Sequence, residues 1–396
     1  MKKIIKILTV FVIFSIPLKS QEVDLLSGYE ELLKSTTTAP PSSVGAAIDR
    51  TQDGVIKDKY EWLVFVFING VNDLGILNLS VNDINEMETV GSTDKVAVVA
   101  EHNRIEGKPG RTLGFSNGAV TYFITKDRPN NREIVSKIID QTPDGDMGSY
   151  IHFARSAKKA IKRFNPDKVM IIIWNHGNGY FGIAYDDVSG NSITVPQLKS
   201  ALSDIVKSYG KKIDIFAMDA CLMQMAEVVA EIKDYAKYVV ASEEAIPGGG
   251  FPYDDLLGCL NSSSDPKKVS ACTVDVYHKA YDSQRITMFG RYDDKSTTLS
   301  AVDTSKFSGF LDILNRWISQ AIRSEDFKKI TDKKVTENAF FFLGGVQNET
   351  VQMGAPSITT ESEGVMTRTA DLVSYLIKAK SEMKDERLKD LTDRVI

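Results

Sequence analysis

A run of apolar residues, Trp62-Leu-Val-Phe-Val-Phe-Ile68, sets the tightest limit on how this chain can fold. It has the length of a strand and no polar face, which suits a strand buried on both sides rather than one lying on a surface. Similar runs recur at 95–100, 119–125, 168–174, 213–218 and 238–241. Segments of helical period lie between them. Leu77, Val81, Ile84 and Met87 share one face, and Ala154, Ala157, Ile161 and Phe164 another. Leu198, Ala201, Leu202 and Ile205 form a third, entered through Thr194 as cap and Pro196 in the first turn. Strands alternating with amphipathic helices specify an α/β fold with a mostly parallel central sheet and helices on both faces. Beyond residue 259 helical patterns dominate (269–281, 307–322, 370–383), with short strands expected near 286–289 and 298–303. The expected division is one domain over 60–258 and a mixed, mainly helical C-terminal region over 259–396.

At the N-terminus Lys2, Lys3 and Lys6 precede an apolar run from Ile7 to Leu18 and the small residue Ser20. This pattern predicts a signal peptide over 1–20 and an exported product, secreted or periplasmic. No later stretch approaches the roughly 20 apolar residues of a membrane anchor. Residues 21–59 read as a linker or pro-segment, because 35–59 turn to Thr, Pro, Ser, Gly and charge without an apolar period. The balance of 48 basic against 53 acidic residues leaves a charge of −5, too mild for a polyanion-binding surface, so nucleic acid is excluded as a main partner. Three cysteines, an odd count, leave at least one thiol free or intermolecular in an exported protein. Cys259 and Cys272 could pair. Cys272, however, sits with Val269, Val276 and Ala280 on an apolar helical face, and two buried thiols are the expectation.

In open α/β sheets functional groups gather beyond the carboxyl ends of strands. One apolar run ends in Trp174-Asn-His-Gly177 and the next in Met218-Asp-Ala-Cys-Leu-Met223, which places His176 and Cys221 at equivalent ends of two expected neighbours. That pairing suits nucleophilic catalysis: a thiolate attacks an acyl carbon, and an imidazole takes the thiol proton and later protonates the leaving amine. A helical pattern over 223–233 would start close enough to Cys221 to lower its thiol pKa. The N–H groups of Gly177 and Cys221 are candidates for binding the oxyanion, an effect worth about 3 kcal/mol per donor. Taken singly, each residue also suits a plain hydrogen-bonded loop histidine or a small core cysteine.

Two other chemistries are weaker. Gly177, Gly179 and Gly182 match G-x-G-x-x-G after a strand, but a loop follows and the helix that should hold a pyrophosphate begins only near Pro196. His102, His152, His176 and His278 lack metal-ligand spacing, and Asp186 with Asp187 offers at most part of an oxygen-rich calcium site.

Four ordered blocks resemble the clostripain family of cysteine peptidases, peptidase family C11 of clan CD. They are Trp62–Gly70, Asn82-Asp-Ile-Asn-Glu-Met-Glu88 with Val90-Gly-Ser92, Ile173–Gly177, and Asp219–Met223; the stretch Ala241-Ser-Glu-Glu244 with Pro247 and Gly250 extends the likeness. The resemblance implies a caspase-like fold and a secreted endopeptidase with Cys221 and His176 as its dyad, working through a thioester. It further implies cleavage after Arg or Lys of protein or peptide substrates, with Asp219 in the pocket and Ser242 and Glu243 beside it. A carboxylate at a pocket base pairs with guanidinium or ammonium. No cofactor is required, and calcium is an option the family carries. The competing class is a non-catalytic exported binding protein on the same fold, either solute-binding or an inactive homologue. Several relatives cut themselves after a basic residue between histidine and cysteine, whereas no Lys or Arg occurs here from Gly177 to Leu198. Self-trimming is therefore expected only in the N-terminal linker, at Arg50, Lys57 or Lys59.

Overall fold

The computed structural model describes residues 56–105, 118–127, 133–143, 145–282, 297–331, 341–342, 369–370 and 372–396. The signal peptide over 1–20, most of the 21–59 linker and the short strand near 286–289 lie outside the described residues. Packing divides the chain into two compact units, one over 52–307 and one holding 308–396.

The first unit is built on an eight-stranded sheet in the order β4-β3-β2-β1-β5-β6-β7-β8. Its strands are β1 (Trp62–Gly70), β2 (Val96–Arg104), β3 (Ala119–Phe123), β4 (Lys137–Thr142), β5 (Lys168–Trp174), β6 (Ile213–Asp219), β7 (Ala236–Ala241) and β8 (Ser300–Asp303). The five central strands, β2-β1-β5-β6-β7, run parallel, and β3, β4 and β8 add antiparallel edges. Every residue of β1 and β6 is buried, which is why these strands appear in the sequence as unbroken apolar runs. Because β8 pairs with β7, the sheet continues past residue 258.

Helices cover both faces. They are α1 (Asp73–Ile76), α2 (Leu79–Val90), α3 (Tyr150–Phe164), α4 (Val195–Tyr209), α5 (Ala226–Ile232), α6 (Tyr253–Ser262) and α7 (Pro266–Asp282). On one face Val64, Val66 and Ile68 of β1 pack with Ile84 and Met87 of α2, Leu256 and Leu260 of α6, and Tyr277 of α7. Phe67 points the other way, meeting Phe153 of α3 edge-on at 5.3 Å. The α4 start is as expected: Thr194 Oγ1 accepts the Gln197 N–H, Gln197 returns a bond to the Thr194 N–H, and Pro196 occupies the first turn.

Cys259 and Cys272 form a disulfide, which corrects the expectation of two buried thiols. A short turn after α6 leads into α7, and the residues stand opposite each other with Cα atoms 5.9 Å apart. Helical period identifies the face a cysteine occupies but not what opposes it. Closing this loop, with a sequence separation of 13, is worth about 3 kcal/mol on chain-entropy grounds.

The second unit contains most of α8 (Thr304–Arg323), α9 (Phe327–Ile330), α10 (Leu372–Glu382), α11 (Glu386–Val395) and a small ladder of β9 (Phe341–Phe342) with β10 (Thr369–Ala370). Its core gathers Trp317, Ile318, Ile330, Leu376, Leu388 and Leu391. The Trp317 indole N–H donates to Thr392 Oγ1 at 2.7 Å, both groups buried, and fixes α8 against α11.

Candidate active site

The chain crosses from β1 to β2 on one side and returns to β5 on the other, so the sheet reverses its winding beside β1. Such a switch point opens a crevice at the carboxyl ends of the strands. Three loops meet there. The register pairs Trp174 at the end of β5 with Asp219 at the end of β6, and the Asn175 N–H donates to the Asp219 carbonyl at 3.2 Å. Two residues further along each strand lie His176 and Cys221. Gly177 is required by this closeness: a Cβ there would fall 2.2 Å from the Cys221 carbonyl oxygen. Among the described residues neither the Gly177 nor the Cys221 N–H donates to another residue.

His176 Nε2 lies 2.7 Å from Asp73 Oδ1. Asp73 opens α1, just after β1, behind the cap that Asn72 forms by accepting the Leu74 N–H. Burial raises the Asp73 pKa, but the hydrogen bond and charge of His176 and the Leu74 N–H outweigh it, and the net shift is downward. An ionised carboxylate only accepts hydrogen bonds, so Nε2 carries the proton and Nδ1 is left free to take another. Sequence reasoning missed Asp73; its one signal is its position directly after a buried strand. Asp187 also stands near this pair. Its carboxyl is pushed up first by burial and then by the Asp73 charge, against the pull of His176.

The Cys221 thiol is held by the backbone of one residue, Ile246. The Ile246 N–H donates to Sγ at 3.3 Å, and Sγ lies 3.9 Å from the Ile246 carbonyl. Burial pushes its pKa up to about 11, the Ile246 N–H opposes this, and the Asp219 and Glu244 charges add to the rise. The helix expected to begin near Met223 starts at Ala226 instead. The turn over 221–224 spends its N–H groups elsewhere, Leu222 on the Glu244 carbonyl and Gln224 on the Ser242 carbonyl, so no helix N-terminus lowers this thiol pKa.

Asp219 is buried, and its Oδ2 accepts the Phe251 N–H and the Tyr253 hydroxyl, each at 3.0 Å. Burial pushes its pKa up to about 7 against those two bonds. Asp83 of α2 stands close by. At Gly250, where φ is +59°, a Cβ would meet Asp219 Oδ2 at 2.9 Å and Asp83 Oδ2 at 3.1 Å. Asp83 accepts the Trp174 indole N–H, and burial followed by the charges of Glu86 and Asp219 raises its pKa well above the usual carboxylate range. Ser242 is buried with its hydroxyl engaged: it donates to the Glu244 carbonyl, accepts the Glu244 N–H and meets Thr298 Oγ1. It therefore clips the turn rather than presenting a free hydroxyl. Glu243 is half-buried in the same turn.

The remaining histidines lie apart from this centre. His102 pairs with Ser80 Oγ at 3.0 Å, and burial lowers its pKa to about 3. His152 meets Glu101 at 2.9 Å, and His278 the Leu299 carbonyl at 3.3 Å. Asp186 spends its carboxylate on the N–H groups of Met147, Val188 and Ser189. Among the described residues no cluster of three or more His, Cys, Asp or Glu could hold a metal ion. The glycine motif folds into a short turn over Gly179–Phe181 and a bridge from Gly177 to Ile183, and the next helix begins at Val195.

A model of the clostripain family, peptidase C11, matches residues 66–395. The chain belongs to that family. It is a cysteine-type peptidase with the caspase-like α/β fold of its relatives. Comparison with curated proteins finds no match. Among solved structures, a secreted C11 cysteine protease from Bacteroides thetaiotaomicron in complex with an irreversible peptide inhibitor is 17% identical. It aligns at a TM-score of 0.56, over 85% of this chain and 82% of the other. An inactive zymogen C11 protease from Parabacteroides distasonis is 16% identical at a TM-score of 0.59, over 86% and 82%. At these identities the likeness carries the fold. No helix among the described residues is long and apolar enough to cross a membrane.

Proposed function

We propose that this peptidase is an exported endopeptidase that cleaves after Arg or Lys, with Cys221 as nucleophile and His176 as general base and acid. One observation supports the reading: the β5–β6 register pairs Trp174 with Asp219, and His176 and Cys221 each follow that pair by two residues. Sγ bonds to the scissile carbonyl carbon as its proton passes to His176 Nδ1, and the carbonyl electrons move to oxygen. The N–H groups of Gly177 and Cys221 receive that oxyanion. Collapse expels the amine, which takes the proton from His176 and leaves a thioester. Water, deprotonated by the same imidazole, then releases the acid and regenerates the thiol.

In the free chain the thiol is protonated, so deprotonation accompanies substrate binding rather than preceding it. Asp219 supports the preference for a basic side chain as the buried acid nearest the nucleophile in sequence. Cys221→Ala and His176→Ala should each abolish cleavage of a mixed peptide library while leaving the melting temperature unchanged. Turnover near that of the parent in either variant would overturn the assignment. Mapping the cut bonds by mass spectrometry tests the preference for Arg and Lys separately.

A further inference from the structure

The second unit holds a cavity of about 390 Å³ between α8 and α11, lined by Arg316, Arg323, Arg387 and Arg394. Each helix supplies two arginines seven residues apart, which places their Cα atoms about 10 Å apart along the axis. All four are exposed, and among the described residues none forms an ion pair.

The acids that would ordinarily balance them are committed elsewhere. Glu386 pairs with Lys389 at 2.8 Å, and Asp393 pairs with Lys380. Asp385 caps its own helix through the Arg387 and Leu388 N–H groups and accepts from Gln320 Nε2 at 2.7 Å. Asp390 is the one carboxylate lining the cavity, so four positive charges face one negative on a chain whose net charge is −5. The buried Trp317–Thr392 bond locks the two helices, so the spacing of the four arginine Cα atoms is set by packing. Asn315 and Ser319 add polar groups, and Leu391 is the single apolar lining residue.

We infer that this cavity binds a compact, polar ligand bearing at least two phosphate or sulfate groups. Guanidinium forks match such oxyanions in pairs, and the volume falls in the small-ligand range of about 300–1,000 Å³. A nucleic acid would call for an extended basic stripe, and the site is a compact cluster.

The test is calorimetric titration of the full chain with tripolyphosphate and, separately, with a multiply sulfated heparin disaccharide, at about 20 mM and about 200 mM salt. At least one probe should bind with a Kd below about 1 mM and more weakly at the higher salt, and the tighter one identifies the anion as phosphate or sulfate. Arg316→Gln and Arg394→Gln should each weaken that binding by about 10-fold or more, with melting temperatures confirming that both variants fold. Arg163→Gln, on α3 of the other unit, should leave it unchanged. Binding of neither probe at low salt, or equal binding by parent and both cavity variants, would mark the arginines as a solvated face and overturn the inference. An equal loss in Arg163→Gln would overturn it too, since binding would then track overall charge.

Discussion

Removing the Asp73 carboxylate should slow the peptidase without dismantling it. In the proposed mechanism the group acts through His176: it lies 2.7 Å from Nε2, holds the proton there, and would face the positive charge on the ring once Nδ1 takes the thiol proton. A hydrogen bond to a charged partner contributes about 1.5–3 kcal/mol. The Asp73 side chain is 49% exposed, and solvent screening reduces the usable part to about 1–2 kcal/mol. Asp73→Ala should therefore lower kcat/KM by about 5- to 30-fold, nearly all of it in kcat, because the carboxylate touches the base and not the substrate. Asp73→Asn should do at least as much harm, since an amide N–H turned toward Nε2 would force the proton onto Nδ1, the wrong tautomer for a base. Steady-state kinetics on one basic peptide, with melting curves as the control for folding, read this out. The reasoning fails if Asp73→Ala keeps kcat/KM within about 2-fold of the parent, or if it loses as much as His176→Ala.

Three further outcomes follow from the site. With the Asp219 pKa at about 7, the proposed preference should show as a kcat/KM ratio of basic over neutral substrates that rises with pH through that value, because a cationic side chain favours the ionised carboxylate. Asp219→Asn should flatten that rise and cost basic substrates about 2–5 kcal/mol more than neutral ones; equal losses on both would mark Asp219 as structural. With the Cys221 pKa near 11, alkylation of the free chain by iodoacetamide should be slow at neutral pH and rise about 10-fold per pH unit from 7 to 10, and a fast rate already flat at pH 7 would contradict the sheltered thiol. Finally, the core should work as one uncut chain: Lys199 is paired with Glu231 inside α4, and Lys207, Lys211 and Lys212 precede β6 at the sheet's opposite end. N-terminal sequencing of active enzyme checks this, and a terminus between 177 and 221 that disappears in Cys221→Ala would refute it.

The linker sharpens that last expectation. Lys57 is bound to Asp94 at 2.7 Å and Lys59 to Asp167 at 3.0 Å, so these two candidate cutting points are tied to the folded unit. Arg50 lies outside the described residues. Any N-terminal trimming by the enzyme itself should therefore fall at or before Arg50, since a protease needs an extended, released segment.

What was legible in the sequence was whatever burial wrote onto a single stretch of chain. The strands β1, β5 and β6 are covered on both faces, so each shows as an apolar run, and a histidine and a cysteine following two such runs could be matched as strand ends. β4 left no such mark: it is an edge strand, and its Ile138 is 51% exposed. The late start of α5 was hidden as well, because the 221–224 turn takes its shape from Leu222 at φ +65° and from carbonyls of the 242–244 turn, which adjoins it only in the fold.

The acids show the same boundary more sharply. The block from Asn82 to Glu88 carried the family likeness, yet nothing in its spacing assigned Asp83 to the Trp174 indole, Glu86 to the Tyr253 N–H, or Glu88 to the Val135 and Ser136 N–H groups. One short helical segment thus reaches three separate parts of the first unit, and each contact spans a gap that no periodicity records. Asp73 belongs with them: a lone acid in the first turn of a short helix, it meets His176 only because β1 and β5 are neighbours, which sets its carboxylate against the imidazole at the next strand's end. Apolar runs locate His176 and Cys221 as residues at strand ends, while the groups that would tune them are set by which strands lie side by side.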